Sequence, residues 1–203
     1  MYFKNIVKIV RKVKPGPVVF SVSDGYQIYD AVTKDSDFET DDVVYLEGPL
    51  SERAGKLQID IKKIEKSDKD FNEIIDEKST PIEREFSIKS EKLEKMKPLF
   101  LKIAKRIRKA ILNNQPILIR HHADADGIIS GMSIEHACRT LMEEVGLEPG
   151  YNLYRSPSKA PFYETTDVFK DISFTKNILE GHGQKKPLIL VLDNGSTPED
   201  VFA

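Results

Sequence analysis

Hydrophobic periodicity changes character part-way along this chain, and that change limits the fold more than any other feature. Up to about residue 65, apolar and polar positions alternate in short runs: NIVKIVRKV, VVFSVS, YQIYDAV, DVVYLEGPL and KLQIDIKKI. A period of two marks strands with one buried face. Turn chemistry separates the runs, at Pro15-Gly16-Pro17, at the hairpin signal Asp24-Gly25, in the acidic loop DSDFETDD and at RAG. Five short strands in about sixty residues, with no helical period among them, suit a small closed barrel, because closure removes exposed sheet edges.

From Phe86 the period becomes helical. Leu93, Met96, Phe100, Ile103, Ile107 and Ile111 recur at three- and four-residue steps, and Pro98 either starts a second helix or kinks the first. Two unbroken apolar runs follow, PILIR and KPLILVLD, separated by the helical patterns IISGMSIEHACRTLMEEVG and TTDVFKDISFTKNILEG. Continuous apolar strands alternating with helices imply a parallel sheet covered on both faces. The expected fold class is therefore α/β with an N-terminal all-β domain: a barrel over residues 1–66, a charged linker over 67–87 with at most one short helix, and part of a Rossmann-like parallel-sheet domain over 88–203.

Composition excludes several functions. A net charge of −2 does not fit a uniformly basic nucleic-acid binder, although Lys102, Lys105, Arg106, Arg108 and Lys109 form a local basic face. No apolar run approaches the roughly 20 residues of a membrane span, and MYFKNIVKIVRK lacks the apolar core of a signal peptide. The single cysteine, Cys138, forms no internal disulfide, so a reducing cytoplasm is the expected compartment. Its setting, SIEHACRTLMEE, suggests a small core residue.

Both sheet-type strands end in acid. ILIR runs into His121-His122-Ala123-Asp124-Ala125-Asp126-Gly127, and LILVL into Asp193-Asn194-Gly195. Ligands of open α/β sheets gather at the carboxyl ends of parallel strands, so the two acidic ends meet if the strands are neighbours. An extended backbone would point His122, Asp124 and Asp126 the same way. Carboxylates with imidazole and no thiolate suit Mn²⁺ or Mg²⁺, and Asp193 is a candidate to bridge two ions. Three other readings stand beside this one. An EF-hand aligned on Gly127 puts Ser133 where a bidentate Glu belongs and needs a helix where a strand precedes. Helix capping accounts for one aspartate. Zinc lacks a second cysteine.

RHHADADG resembles the first motif of the DHH phosphoesterase superfamily, and VLDNGS its second, with archaeal RecJ-like single-strand nucleases as the most similar subgroup. The resemblance implies a two-manganese centre with His122, Asp124, Asp126 and Asp193 as ligands, and leaves His121 without a ligand role. FSVSDG and GPLSERAGKLQIDIKKIE resemble a nucleic-acid-binding OB-fold. Together the resemblances imply an exonuclease-type phosphodiesterase for single-stranded DNA or RNA, in replication and repair. Two other readings are a non-catalytic RecJ-like scaffold that binds GINS, and a phosphodiesterase for small nucleotides. The chain lacks the Asp-His-His triplet that names the superfamily, which implies the N-terminal part of a longer protein, inactive by itself.

Within the barrel, alternation assigns Phe20, Ile28, Val44, Leu46, Leu57, Ile59 and Ile61 to the core. Tyr29, Tyr45, Gln58 and Lys62 then face outward beside Arg53, as a stacking platform with cations or as an unliganded cross-strand tyrosine pair. His136 and His182 read as solvent-facing or structural.

Overall fold

The computed structural model describes residues 1–13, 17–53 and 55–195. The N-terminal part is a closed barrel of β1 (Tyr2–Val13), β2 (Val18–Ser23), β3 (Ile28–Thr33), β4 (Val43–Arg53) and β5 (Lys56–Asp60), with β6 (Lys63–Lys66) continuing the line of β5. The order is β1-β2-β3-β5-β4, and β4 returns to pair with β1. Neighbours are antiparallel except β3 and β5, which run parallel from Asp30↔Gln58 to Val32↔Asp60. β4 closes the barrel because it is long. Its residues 43–49 pair with β1, while its other edge takes β6 and then β5. Phe20, Val22, Val44, Leu46 and Ile59 fill the interior.

The second part contains α1 (Phe71–Lys78), α2 (Glu91–Leu112), β7 (Ile117–His122), α3 (Ala125–Glu144), the short α4 (Pro149–Asn152), β8 (Leu153–Ser158), α5 (Thr165–Phe174) and β9 (Leu188–Leu192). β7 is central and parallel to both β8 and β9. Its first five residues are buried, as a strand flanked on both edges and both faces should be. Pro98 lies inside one continuous α2. β8 falls where the sequence reads as irregular; as an edge strand it tolerates Pro157, whose ring would break a central ladder.

One core joins the two parts. Val10 and Ile28 from the barrel wall pack with Phe71, Ile75, Ile111, Ile117, Cys138 and Met142. The Ile28 N–H donates to the Val145 oxygen at 2.8 Å. Phe71 and Ile75 bury α1, the one helix within the charged stretch 67–87. Cys138 is buried as expected, and burial pushes its thiol up to about 11.

This shared core inverts the expected faces of β3. Ile28 points out of the barrel into the second part, and Tyr29, two positions before Ala31, packs against the barrel interior. Alternation separates two faces of a strand; it does not say which is inside when both are covered by protein.

Candidate metal centre

β7 and β9 are hydrogen-bonded neighbours with His121 opposite Leu192, so His122 and Asp193 leave the sheet side by side. The chain after β7 turns at once into α3. Asp124 is the N-cap of that helix, with extended backbone, and its Oδ1 accepts the Gly127 N–H at 3.2 Å. Capping and ligation are therefore not rival readings of Asp124, because one carboxylate oxygen caps and the other, though it also accepts a hydrogen bond, keeps a second lone pair. That second oxygen, Oδ2, accepts from the His122 Nδ1–H at 2.7 Å, which leaves the His122 Nε2 lone pair for a metal.

His122, Asp124 and Asp193 offer ligand atoms that all lie within 4.8 Å of one another. Asp126 is outside this group. The helix begins at Ala125, which ends the extended alternation that would have aligned Asp126 with His122 and Asp124. Its charge is still felt. Withdrawal from water, then the charges of Asp126 and Asp124, push the Asp193 carboxyl above the ordinary carboxylate range. Withdrawal from water also opposes ionisation of Asp124, but the Gly127 N–H and the His122 imidazole hold it below that range. One carboxylate is thus stabilised as an anion and its neighbour is not.

Asp193 adopts a left-handed backbone at φ 52, uncommon for a non-glycine residue and typical of sites where function holds the chain in place. Gly127 is needed for a different reason. A Cβ there would collide with the His122 oxygen and lie 2.9 Å from carboxylate oxygens of both Asp124 and Asp193.

His121 is fully buried beneath the centre. Its Nδ1–H donates to the His122 oxygen at 2.6 Å, and its Nε2 accepts from Arg155 Nη1 at 3.1 Å. Arg155 Nε in turn donates to Glu135 at 2.6 Å. A carbonyl can only accept and a guanidinium can only donate, so the two contacts fix the tautomer. Gly131 makes room for this ring. We expect Gly131→Ala, whose Cβ would meet His121 Cδ2 at 2.5 Å, to cost roughly 1–3 kcal/mol in denaturant unfolding. Gly150→Ala, with nothing nearer than 3.7 Å, is the control; equal losses in both would remove the steric account.

Below His122 on the opposite face of the sheet from His121, Arg120 binds Asp171 through Nε and Nη2 and reaches Asp167 at 3.5 Å; Tyr163 donates to Asp171 at 2.9 Å. The motif reading does not include this cluster. Its signal in the sequence is an arginine at the end of the apolar run PILIR, since a charge on a buried strand needs buried partners.

The barrel residues expected to bind nucleic acid lie on β3, on β4 and in the turn after β5. Tyr29 tilts against Phe3 at 5.0 Å between ring centroids and donates to Asp24 at 3.2 Å; burial and Asp24 push its hydroxyl up to about 12. Tyr45 is on the outer side of the wall, alternating with the interior residues Val44 and Leu46, and donates to Glu47 at 3.0 Å with Lys63 over its ring. Arg53 is exposed and 3.7 Å from Asp60, and Lys62 is exposed. On α2, Lys105 and Lys109 grip Asp76 at 2.6 and 2.9 Å, a structural use of the basic face. His136 and His182 are exposed.

The fold and site define a class: a five-stranded barrel packed on a parallel sheet whose neighbouring strand ends bring carboxylates and an imidazole together. No protein-family model matches the chain. It is similar to the uncharacterized protein MJ1198 of Methanocaldococcus jannaschii, 38% identical over 218 aligned positions that take in 98% of this chain and 28% of the relative. It is also similar to a solved structure described as the DHH domain of PF0399, a member of a family of ribosomal proteins. That structure is 42% identical with a TM-score of 0.61, over 64% of this chain and 30% of the solved one. The chain thus spans less than a third of the length of either protein. No helix among the described residues is long and apolar enough to cross a membrane.

Proposed function

We propose that this chain carries the first half of the metal centre of a DHH-type phosphodiesterase that hydrolyses single-stranded nucleic acid. The observation that carries the reading is the convergence of His122, Asp124 and Asp193 from two adjacent parallel strands. The likeness to a DHH-domain structure at 42% identity supports it.

The donor set fits a hard divalent ion. Two carboxylates and one imidazole suit Mn²⁺ or Mg²⁺ better than a thiolate-seeking metal. Such an ion, when bound, lowers the pKa of a coordinated water and offsets charge on a phosphoryl group. The chain's own residues do the rest. Asp124 orients the His122 ring while it caps α3, and His121 fixes the His122 carbonyl. Asp193, held against Gly127, supplies the carboxylate that its neighbours make reluctant to ionise without a cation. Asp126, in the first turn of α3, adds negative charge beside Asp193 that a bound cation would offset.

Titration of the 203-residue chain with Mn²⁺, followed by the electron paramagnetic resonance of free ion, tests the site. Weak saturable binding that Asp124→Asn removes is the expected result, with little hydrolysis of a labelled single strand by the chain alone. Binding unchanged in Asp124→Asn would discard the metal centre. The full-length protein, given the same strand with and without Mn²⁺, tests the activity. A full-length protein that binds Mn²⁺ without cleaving single strands would favour the scaffold reading, in which GINS is the partner.

A further inference from the structure

The loop between β8 and α5, residues 159–164, crosses the edge of the metal centre. The three strand ends are level there: Ser158 pairs with His122, and Asp193 follows the Leu192 that pairs with His121. β7 stands between β8 and β9, which are therefore roughly 10 Å apart. Beyond the strand ends that gap closes. Phe162 and Gly195 form a parallel bridge, and the Gly195 N–H donates to the Pro161 oxygen at 2.8 Å. The loop reaches Gly195 through the space that β7 leaves when the chain turns into α3. Gly195 is the second residue after Asp193, so the Phe162 Cα lies within roughly 12 Å of the Asp193 Cα.

The loop is anchored on both sides of Phe162. Before it, the Ala123 N–H donates to the Ser158 oxygen at 3.1 Å; after it, the Tyr163 hydroxyl donates to Asp171 at 2.9 Å. Phe162 itself stays 38% exposed and has no aromatic partner among the described residues. One edge of its ring lies against bare glycine backbone, where a Cβ on Gly195 would come within 3.1 Å of Cε1. An apolar ring is thus held in a fixed place with much of its surface open to water, beside the metal centre.

Charge adds an independent observation. From Arg155 to Tyr163 the sequence RSPSKAPFY contains two cations and no acid, next to a centre where Asp124, Asp126 and Asp193 gather. Arg155 is engaged by His121 and Glu135. Lys159 is not: it is exposed and has no ion pair or hydrogen bond among the described residues. An open aromatic ring and an unpaired cation three residues apart are the two components of a single-strand binding surface, the ring for a base and the cation for a phosphate.

We propose that Phe162 stacks on a base of the strand and Lys159 contacts its phosphate backbone, so that this loop guides the strand to the metal centre. The inference rests on the single-strand reading above and names two residues that would carry it. Stacking tolerates any sequence, because every base offers a π-face. The anchors at Ser158 and Tyr163 hold the ring in place before the strand arrives, which lowers the ordering cost of binding.

Fluorescence anisotropy of a labelled oligodeoxyadenylate and of an abasic strand of the same length, each titrated with the 203-residue chain in Mn²⁺, tests this. The wild type should bind the base-bearing strand more tightly. Phe162→Leu should weaken that strand by about tenfold and leave the abasic one unchanged. Lys159→Gln should weaken both strands alike and lower the slope of log affinity against log salt by about 0.7. The chain has no tryptophan, so Phe162→Trp gives a single reporter that retains a stacking ring. Its emission should be quenched by the base-bearing strand and not by the abasic one, a readout that stands even where Phe162→Leu fails to fold. Equal wild-type affinity for the two strands, equal losses for both in Phe162→Leu, or unquenched emission with the strand bound would each overturn the stacking assignment and leave the single-strand reading intact. No binding of either strand would remove that reading, and this inference with it.

Discussion

Asp193→Asn is expected to act in opposite directions on activity and on stability. In the full-length protein, metal-dependent hydrolysis should fall by on the order of a thousandfold or more, as when a group essential to a catalytic unit is removed. In the metal-free 203-residue chain the same substitution should raise the melting temperature at neutral pH. The sign follows from the direction of the shift. Burial and the charges of Asp126 and Asp124 lift the folded pKa of Asp193 above its unfolded value. The ionised carboxylate therefore weakens the fold at pH above both values, and that weakening disappears as pH falls through the folded pKa. Asp124 behaves the other way. Its pKa is lowered, so its stabilisation is present above the unfolded value and fades as pH falls through the folded one. Asparagine keeps the shape, tolerates the left-handed backbone at φ 52 and carries no charge. Thermal melts of both forms, with and without Mn²⁺, check the pair of effects. A metal-free Asp193→Asn that melts below the wild type, or one that still gains stability from Mn²⁺ as the wild type does, would show that Asp193 is not in a like-charge metal site.

The fold was legible wherever one physical rule governed a segment. Short alternating runs closed by Asp24-Gly25 and RAG produced the barrel strands, and two unbroken apolar runs produced β7 and β9. β8 was not legible, because LYRSPS carries Arg155 and Pro157 and its stability comes from lying along β7 rather than from its own pattern. The same limit applied to Ile28 and Tyr29, where a second packing surface outside the barrel decided which face was which. At the site, His122, Asp124 and Asp193 were readable because strand ends must point somewhere, and parallel neighbours point them together. Asp126 departs from that set because the helix starts one residue before it. Local geometry there depends on where capping ends the strand, and spacing alone does not contain that.

Arg120→Met should cost roughly 3–5 kcal/mol in denaturant unfolding, the range for removing one partner of a buried ion pair. Arg120 is 2% exposed, and Asp167 and Asp171 are each 3% exposed. Burial works against the guanidinium charge, but Asp171 and Asp167 more than compensate, so Arg120 stays ionised. Methionine matches the aliphatic stem while stranding Asp171, whose other partner is the Tyr163 hydroxyl. Burial and Asp171 hold that hydroxyl well above its ordinary pKa, so it remains a donor and cannot replace a cation. Asp167 keeps Lys170 at 3.4 Å and suffers less. The double variant Arg120→Met/Asp171→Leu should therefore recover much of the loss, because what destabilises is the unpaired carboxylate rather than the missing contact. A loss below about 1 kcal/mol in the single variant, or no recovery in the double, would mean that water reaches the cluster and the burial argument fails. The placement explains why such a costly group sits here. Arg120 immediately precedes His121 and His122, and Asp167 and Asp171 lie on α5, so the cluster pins α5 against the end of β7. A hydrophobic contact would hold the helix but let it slide. A bidentate ion pair fixes its register, and with it the strand end from which His122 meets Asp193.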